Sequence, residues 1–299
     1  MPTSKGSRRW LGREALLEWY APRRRAYPWI TSREPYAVLV SEVMLQQTQA
    51  PRVAVAYRAF LARFPTVGSL AEAPRREVLL AWEGLGYNRR AVALSEAART
   101  IVRTHGGRVP RDPRRLRELR GVGPYTAAAI ASIAFGEPIA AIDTNVRRVT
   151  ARAHLGLEGH EVAPAEIVTL ANAWLDRRDP GIWNQAVMDL GREVCRPTPR
   201  CEVCPLEHAC RFRRLGAPVR PHPRPQPPFA GSEREVRGAV VRLLCRHRVL
   251  TLGSLGAKTG FPPPRVVSAV RGLAVDGLVD AGPAAIDGRS LGRVGLAAR

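Results

Sequence analysis

The chain has 299 residues, with 47 basic side chains against 26 acidic ones and a formal net charge of +21. Its hydrophobic share of 45% excludes a wholly disordered chain, and no apolar run nears the ~18 residues of a membrane span. The polar, basic start is unlike a secretory signal, so an intracellular, cytoplasmic protein with no membrane partner is expected. All but two of the basic residues are arginine, the exceptions being Lys5 and Lys258. A GC-rich genome explains arginine replacing lysine, but not the excess of bases over acids. That excess suits nucleic acid, because each neutralised phosphate releases counterions.

From residue 11 to about 215, apolar residues recur at three- and four-residue spacing between short Gly/Pro breaks, so this part is predicted all-α. One helix is expected over 36–47, following a proline in its first turn. The Phe64-Pro65-Thr66 stretch breaks the chain, and a helix over 70–82 resumes it. At Leu119–Ala127 two glycines, Gly121 and Gly123, form a tight turn before a helix. Backbone N–H groups there can approach a phosphate at the positive end of the helix dipole. The Ala-rich stretch 127–134 packs closely, and Asp143 precedes a helix over 145–153.

Cys195, Cys201, Cys204 and Cys210 follow as C-x5-C-x2-C-x5-C. Four thiolates so close in a proline-rich loop converge on one metal centre, either tetrahedral zinc or an iron–sulfur cluster. Cys245 stands apart and is read as a small buried hydrophobe. Six prolines between 218 and 228 mark an extended linker. Beyond it, helices over 233–245, 252–259 and 263–276, and a short hairpin near 277–280, suggest a small winged-helix-like domain.

Two acidic residues stand out. Asp143 is a natural N-cap for the helix after it. Glu42 lies among Val38, Leu39, Val40, Val43, Met44 and Leu45, which leave little polar face for it. A carboxyl in such surroundings has a raised pKa and can serve as a general acid.

Taken together, Tyr27-Pro28-Trp29, the run Ser41 to Gln49 (SEVMLQQTQ), Trp82 to Tyr87 (WEGLGY), Leu119–Ala127, Ile142 to Arg148, Asn184–Gly191 and the four cysteines resemble the adenine DNA glycosylase family. That family lies within the helix-hairpin-helix, endonuclease III superfamily. The matches keep family order over about residues 11–212. The resemblance implies an all-α helix-hairpin-helix glycosylase with a six-helix barrel (30–138) and an iron–sulfur domain (139–215), on which an N-terminal helical segment (1–29) packs. A Pro-rich linker (216–231) and the winged-helix-like domain (232–299) complete the expected organisation. It implies one [4Fe-4S] cluster on the four cysteines, and a cleft that takes an extruded base.

By the same resemblance Glu42 protonates the departing base, Asp143 stabilises the oxocarbenium-like sugar, and Tyr125 positions groups in the pocket. Gln47 and Tyr87 enter the base stack, and Gly121, Gly123 and Thr126 contact the DNA backbone. The partner implied is double-stranded DNA with a mispaired or damaged base, bound by a nucleoid-associated monomer in base excision repair. Bifunctional relatives carry a Schiff-base lysine where this chain has Tyr125, so a monofunctional glycosylase is expected. Three features depart from the family pattern. The first cysteine spacing is x5 rather than x6, Asn88 replaces a second tyrosine, and residues 232–299 are too short and helical for the usual nucleotide-pyrophosphatase-like domain that reads 8-oxoguanine. The alternatives are a mismatch thymine or uracil glycosylase of the same superfamily, and a non-catalytic iron–sulfur DNA-binding protein.

Overall fold

The computed structural model describes residues 12–24, 27–216, 218–219 and 228–297. The start of the expected N-terminal segment and most of the proline-rich linker lie outside these residues. In chain order the helices are α1 (Arg13–Tyr20), α2 (Pro35–Leu45), α3 (Ala50–Arg63), α4 (Val67–Glu72), α5 (Arg75–Ala81), α6 (Arg89–His105), α7 (Pro113–Leu116) and α8 (Pro124–Phe135). They continue as α9 (Thr144–Leu155), α10 (Pro164–Trp174), α11 (Pro180–Glu193), α12 (Arg211–Leu215) and α13 (Glu233–Arg246). The chain ends in β1 (Val249–Thr251), α14 (Leu252–Thr259), α15 (Pro263–Val275), β2 (Val279–Ala281), α16 (Pro283–Ile286) and β3 (Arg293–Leu296). The fold is the mostly helical one expected, and among the described residues no helix is long and apolar enough to cross a membrane.

Two expected helices are shorter than their periodicity suggests. α2 stops at Leu45 because Gln47 takes a left-handed backbone (φ 55°), which no helix continues through. The expected helix over 70–82 is two helices, parted where Ala73 turns extended ahead of Pro74, the N-cap of α5. Elsewhere local chemistry sets the ends. Thr66 and Ser69 close a capping box, and Asp112, Asp143 and Asp179 accept from backbone N–H groups in the first turns of α7, α9 and α11.

The chain forms two compact units that interleave along the sequence. The first comprises Met1–Glu42, Pro110–Glu118 and Val122–Arg224. Its core joins Leu16 and Tyr20 of α1 to Val146, Trp174, Trp183, Val187, Leu190 and Leu206, with Trp174 and Trp183 edge to face at 5.3 Å. Cys195, Cys204 and Cys210 pack against this core, so α1 and the cysteine loop share one apolar cluster. Buried Asn184 of α11 holds the approach to α9. Its amide donates to Ser132 Oγ (2.9 Å) and Ile139 O (3.0 Å), and its carbonyl accepts from Ala141 N (2.8 Å).

The second unit comprises Val43–Val109, Leu119–Gly121 and Pro225–Arg299. Phe60, Phe64, Leu70, Trp82, Leu94 and Ile101 are buried in it, with Phe60 edge to face on Trp82 at 5.9 Å. Its C-terminal part has the three expected helices as α13, α14 and α15. In place of the short hairpin expected near 277–280, β2 pairs antiparallel with β3 across a connection that carries α16, Val279 opposite Leu296. A further strand, β1, pairs antiparallel with β3, Val249 opposite Gly295, giving the sheet order β1-β3-β2. β1 escapes sequence reading because three residues are too few to show alternation. Cys245 is buried, as expected.

Candidate active site

Glu42, Tyr125 and Asp143, 101 positions apart at the extremes by number, meet within the first unit. Glu42 lies one residue before α2 passes into the second unit, on a helix whose Val38, Leu39 and Val40 are buried. Only 6% of its surface is exposed, and its Oε2 has no hydrogen-bond partner among the described residues. Burial pushes its carboxyl up to about 7 from the usual 4.5, and the nearby Asp143 charge raises it further against a hydrogen bond from Tyr125. The Tyr125 hydroxyl also lies 3.4 Å from Met188 Sδ of α11. Burial, with Glu42 and Asp143 facing it, holds Tyr125 well above the usual phenol range, so it stays neutral.

Asp143 does cap α9, and the same bonds aim it. Oδ1 accepts from Val146 N (2.6 Å) and Oδ2 from Asn145 Nδ2 (2.8 Å). Burial raises its pKa, while those bonds and the Arg148 charge pull it back toward ionisation. Gly191 of α11 lets this corner close, since a Cβ there would sit 2.6 Å from Asn145 Cβ. Arg148 then ties the corner to the cysteine loop, donating to Asn145 Oδ1 (2.9 Å), Gly191 O (2.7 Å) and Cys195 O (2.7 Å).

All four cysteines line one cavity, together with Arg152, Phe212 and Arg213. Among the described residues no three Cys, His, Asp or Glu side chains gather closely enough to hold a single ion. Buried Arg152 lies over the Phe212 ring at 4.9 Å, pairs with Glu158 at 2.7 Å, and reaches Arg196 O, Pro197 O and, at 3.8 Å, Cys195 Sγ. An all-sulfur donor set with a cation beside it fits an anionic thiolate-bound group.

Gln47 and Tyr87 fall in the second unit, in separate turns. They are the two non-glycine residues with positive φ among those described, at 55° and 48°. Strain of ~1 kcal/mol or more at each persists only where surroundings fix it, and here Arg90 does so. Its guanidinium donates to Val43 O (3.0 Å), Met44 O (2.8 Å) and Gln46 O beside Gln47. It also donates to Leu85 O (3.2 Å) and Gly86 O (3.1 Å) beside Tyr87, and to Thr48 Oγ1 (2.9 Å). The charge lies 5.4 Å from the Tyr87 ring centroid, and burial lowers its pKa to about 10, still ionised at neutral pH. Sequence reading missed Arg90, Arg148, Arg152 and Asn184. Arg148 and Asn184 lay within recognised stretches and Arg90 and Arg152 just beyond them, but nothing in the residue types marked their roles.

Gly121 has φ 80° and a Cβ there would meet Ala93 Cβ at 2.9 Å, so the turn requires glycine; its carbonyl accepts from Gln46 Nε2 at 3.2 Å. Gly123 is the N-cap of α8, and a Cβ there would meet nothing within 4 Å. That open face suits approach of a phosphate. Thr126 is buried inside α8 at 3% exposure.

Residues 40–169 match the family described as HhH-GPD superfamily base excision DNA repair protein. The chain also superposes on a thermostable thymine-DNA glycosylase with TM-score 0.64 and 29% identity, covering 70% of this chain and 98% of that one. Endonuclease III in a trapped DNA complex shares the fold, with TM-score 0.61 at 23% identity, covering 72% of this chain and 99% of that one. These give the chain a helix-hairpin-helix fold, with the match to a base excision DNA repair superfamily confined to residues 40–169.

Among curated relatives, the adenine DNA glycosylase of Mycolicibacterium smegmatis is 38% identical over 271 residues, covering 89% of this chain and 91% of the relative. That of Mycobacterium tuberculosis is 40% identical, covering 77% of each. The human enzyme is 43% identical over 213 residues, which is 67% of this chain but 39% of the human protein. The chain belongs to the adenine DNA glycosylase family.

Proposed function

We propose that the chain excises adenine mispaired with 8-oxoguanine or guanine from duplex DNA, as a monomer, leaving an abasic site and an intact strand. The observation that carries this reading is the buried Glu42 carboxyl, poised at about 7 with an unpartnered oxygen beside Asp143. At neutral pH about half of such groups hold a proton that can pass to the leaving base. As the C1′–N bond breaks, positive charge grows on the sugar, and Asp143, unable to swing away from its N-cap bonds, stabilises it. Water then adds at C1′ and passes a proton to the Glu42 carboxylate, which restores the acid. Tyr125 keeps the two carboxyls in register. It also occupies the place of the lysine that would form a Schiff base, and neither Lys5 nor Lys258 falls in the motifs that carry the resemblance.

Gln47 and Tyr87 enter the duplex and probe the opposite strand, while Gly121 and Gly123 meet a phosphate. Cys195, Cys201, Cys204 and Cys210 hold a [4Fe-4S] cluster, whose contribution is to staple the loop against α1 and α9. Iron and labile sulfide at about four each per chain, with visible thiolate-to-iron absorption, are the expected result.

The test is a cleavage panel on duplexes holding A opposite 8-oxoguanine, A opposite G, T opposite G and U opposite G, with and without hot alkali. Alkali-dependent cutting of the adenine strands is expected. Cutting of the T or U strands would move the chain to the mismatch-pyrimidine branch, and a product trapped by borohydride would overturn the monofunctional reading.

A further inference from the structure

The C-terminal domain lies against α5 and the turn 82–88, all within the second unit. Arg75, only 8% exposed, donates to Gly277 O at 2.7 Å, and Arg76 to Cys245 O at 2.7 Å. Arg242 and Arg246 of α13 pair with Glu83 at 3.3 and 3.4 Å, and Asp276 pairs with both Arg89 (3.4 Å) and Arg237. Gly84, Gly86 and Tyr87 all have positive φ (88°, 68° and 48°), a conformation a tyrosine rarely holds unaided. Arg90 grips the turn through its backbone. From the other module, Arg234 at the start of α13 donates to the Tyr87 hydroxyl at 3.0 Å, and its second nitrogen reaches Pro228 O at 3.3 Å. A phenol oxygen so held fixes the tilt of the ring as well as the path of the chain.

We propose that the C-terminal domain is a brace on this turn, and that Arg234 is a positioning residue which sets how Tyr87 meets the base opposite the excised adenine. The domain thereby contributes to opposite-base discrimination through the probe carried by this turn. This rests on Tyr87 being that probe, as proposed above.

The test is single-turnover excision of adenine opposite 8-oxoguanine, guanine and cytosine by the full chain. The variants are Arg234→Ala, Arg234→Lys, Tyr87→Phe, Tyr87→Ala, the Arg234→Ala/Tyr87→Phe pair, and Arg76→Ala, which loosens docking elsewhere. Arg234→Ala and Tyr87→Phe should each compress the ratio of rates between opposite bases about fivefold, the worth of one hydrogen bond. The pair should go no further than either alone, Arg234→Lys should restore much of the ratio, and Arg76→Ala should lower the melting temperature without moving it. The assignment of Arg234 is overturned if Arg234→Ala slows all three substrates equally, if the pair is additive, or if Arg76→Ala compresses the ratio as much. If Tyr87→Ala itself leaves the ratio unchanged, the probe role of Tyr87 falls, and the brace with it.

Discussion

The carboxyl pair and the two left-handed turns store energy in different forms. In the first unit, Glu42 is kept in surroundings that disfavour its charge, so the cost is electrostatic and shows as a carboxyl raised to about 7. In the second, Gln47 and Tyr87 are kept in backbone conformations that disfavour their side chains, so the cost is steric and shows as positive φ. The first is maintained by exclusion of water and the second by one guanidinium bonded to both turns. The role proposed for Glu42, giving up a proton, calls for a tuned solvent environment, whereas the role proposed for Gln47 and Tyr87, entering a base stack, calls for a fixed direction.

The contrast can be broken most sharply at Glu42. Glu42→Gln should lower excision about 10²–10⁴-fold while leaving duplex affinity unchanged, measured by single-turnover kinetics and fluorescence anisotropy. The same change should stabilise the fold above neutral pH. A carboxyl with a folded pKa of about 7 and an unfolded value near 4.5 favours the fold in its neutral form. That contribution is complete below about 4.5 and lost as pH rises to 7, where the charged group costs about 3 kcal/mol. The variant should therefore melt higher than the parent at pH 8 and alike at pH 4.5; a lower melting point at pH 8 would refute the electrostatic account.

Arg90→Met should have the next largest effect. It leaves several loop carbonyls without their shared donor and should cost about 3 kcal/mol in urea denaturation, with weakened duplex binding. A loss confined to stability would mean that the turns hold their shape without it. In the parent enzyme, the single-turnover rate should be level at low pH and fall tenfold per unit once pH passes about 7, because the protonated acid is the active form. A rate rising through that range would assign the titration to another group. The smallest effect belongs to Gln47→Gly. Exposed Gln47 loses little packing and sheds its strain, so stability should rise by up to about 1 kcal/mol while duplex affinity falls. A gain in both would remove Gln47 from the interface.

Part of this contrast was legible in the sequence. Glu42 was conspicuous because carboxylates are rare on an apolar face, and the cysteines because four at such spacing have few uses. Asp143 was legible as a helix cap, a role it does perform, and the cap geometry is also what aims it. Arg90 was hidden among 45 arginines, because its partners are backbone carbonyls, which every residue carries alike. Asn184 was hidden because its partners are remote in sequence. It lay within a recognised stretch, but its contacts are with Ser132, Ile139 and Ala141, more than forty positions away.

The sequence by itself determined the helical class and the family, and it singled out the carboxyl and the four thiols proposed as acid and ligands, because each rests on side-chain identity at short spacing. Tertiary structure alone decided that Glu42, Tyr125 and Asp143 share one buried corner, that two distant turns are strained together, and that α13 reaches Tyr87. Those features depend on burial and on hydrogen bonds that join segments distant in the chain, and neither leaves a local pattern of residues to read.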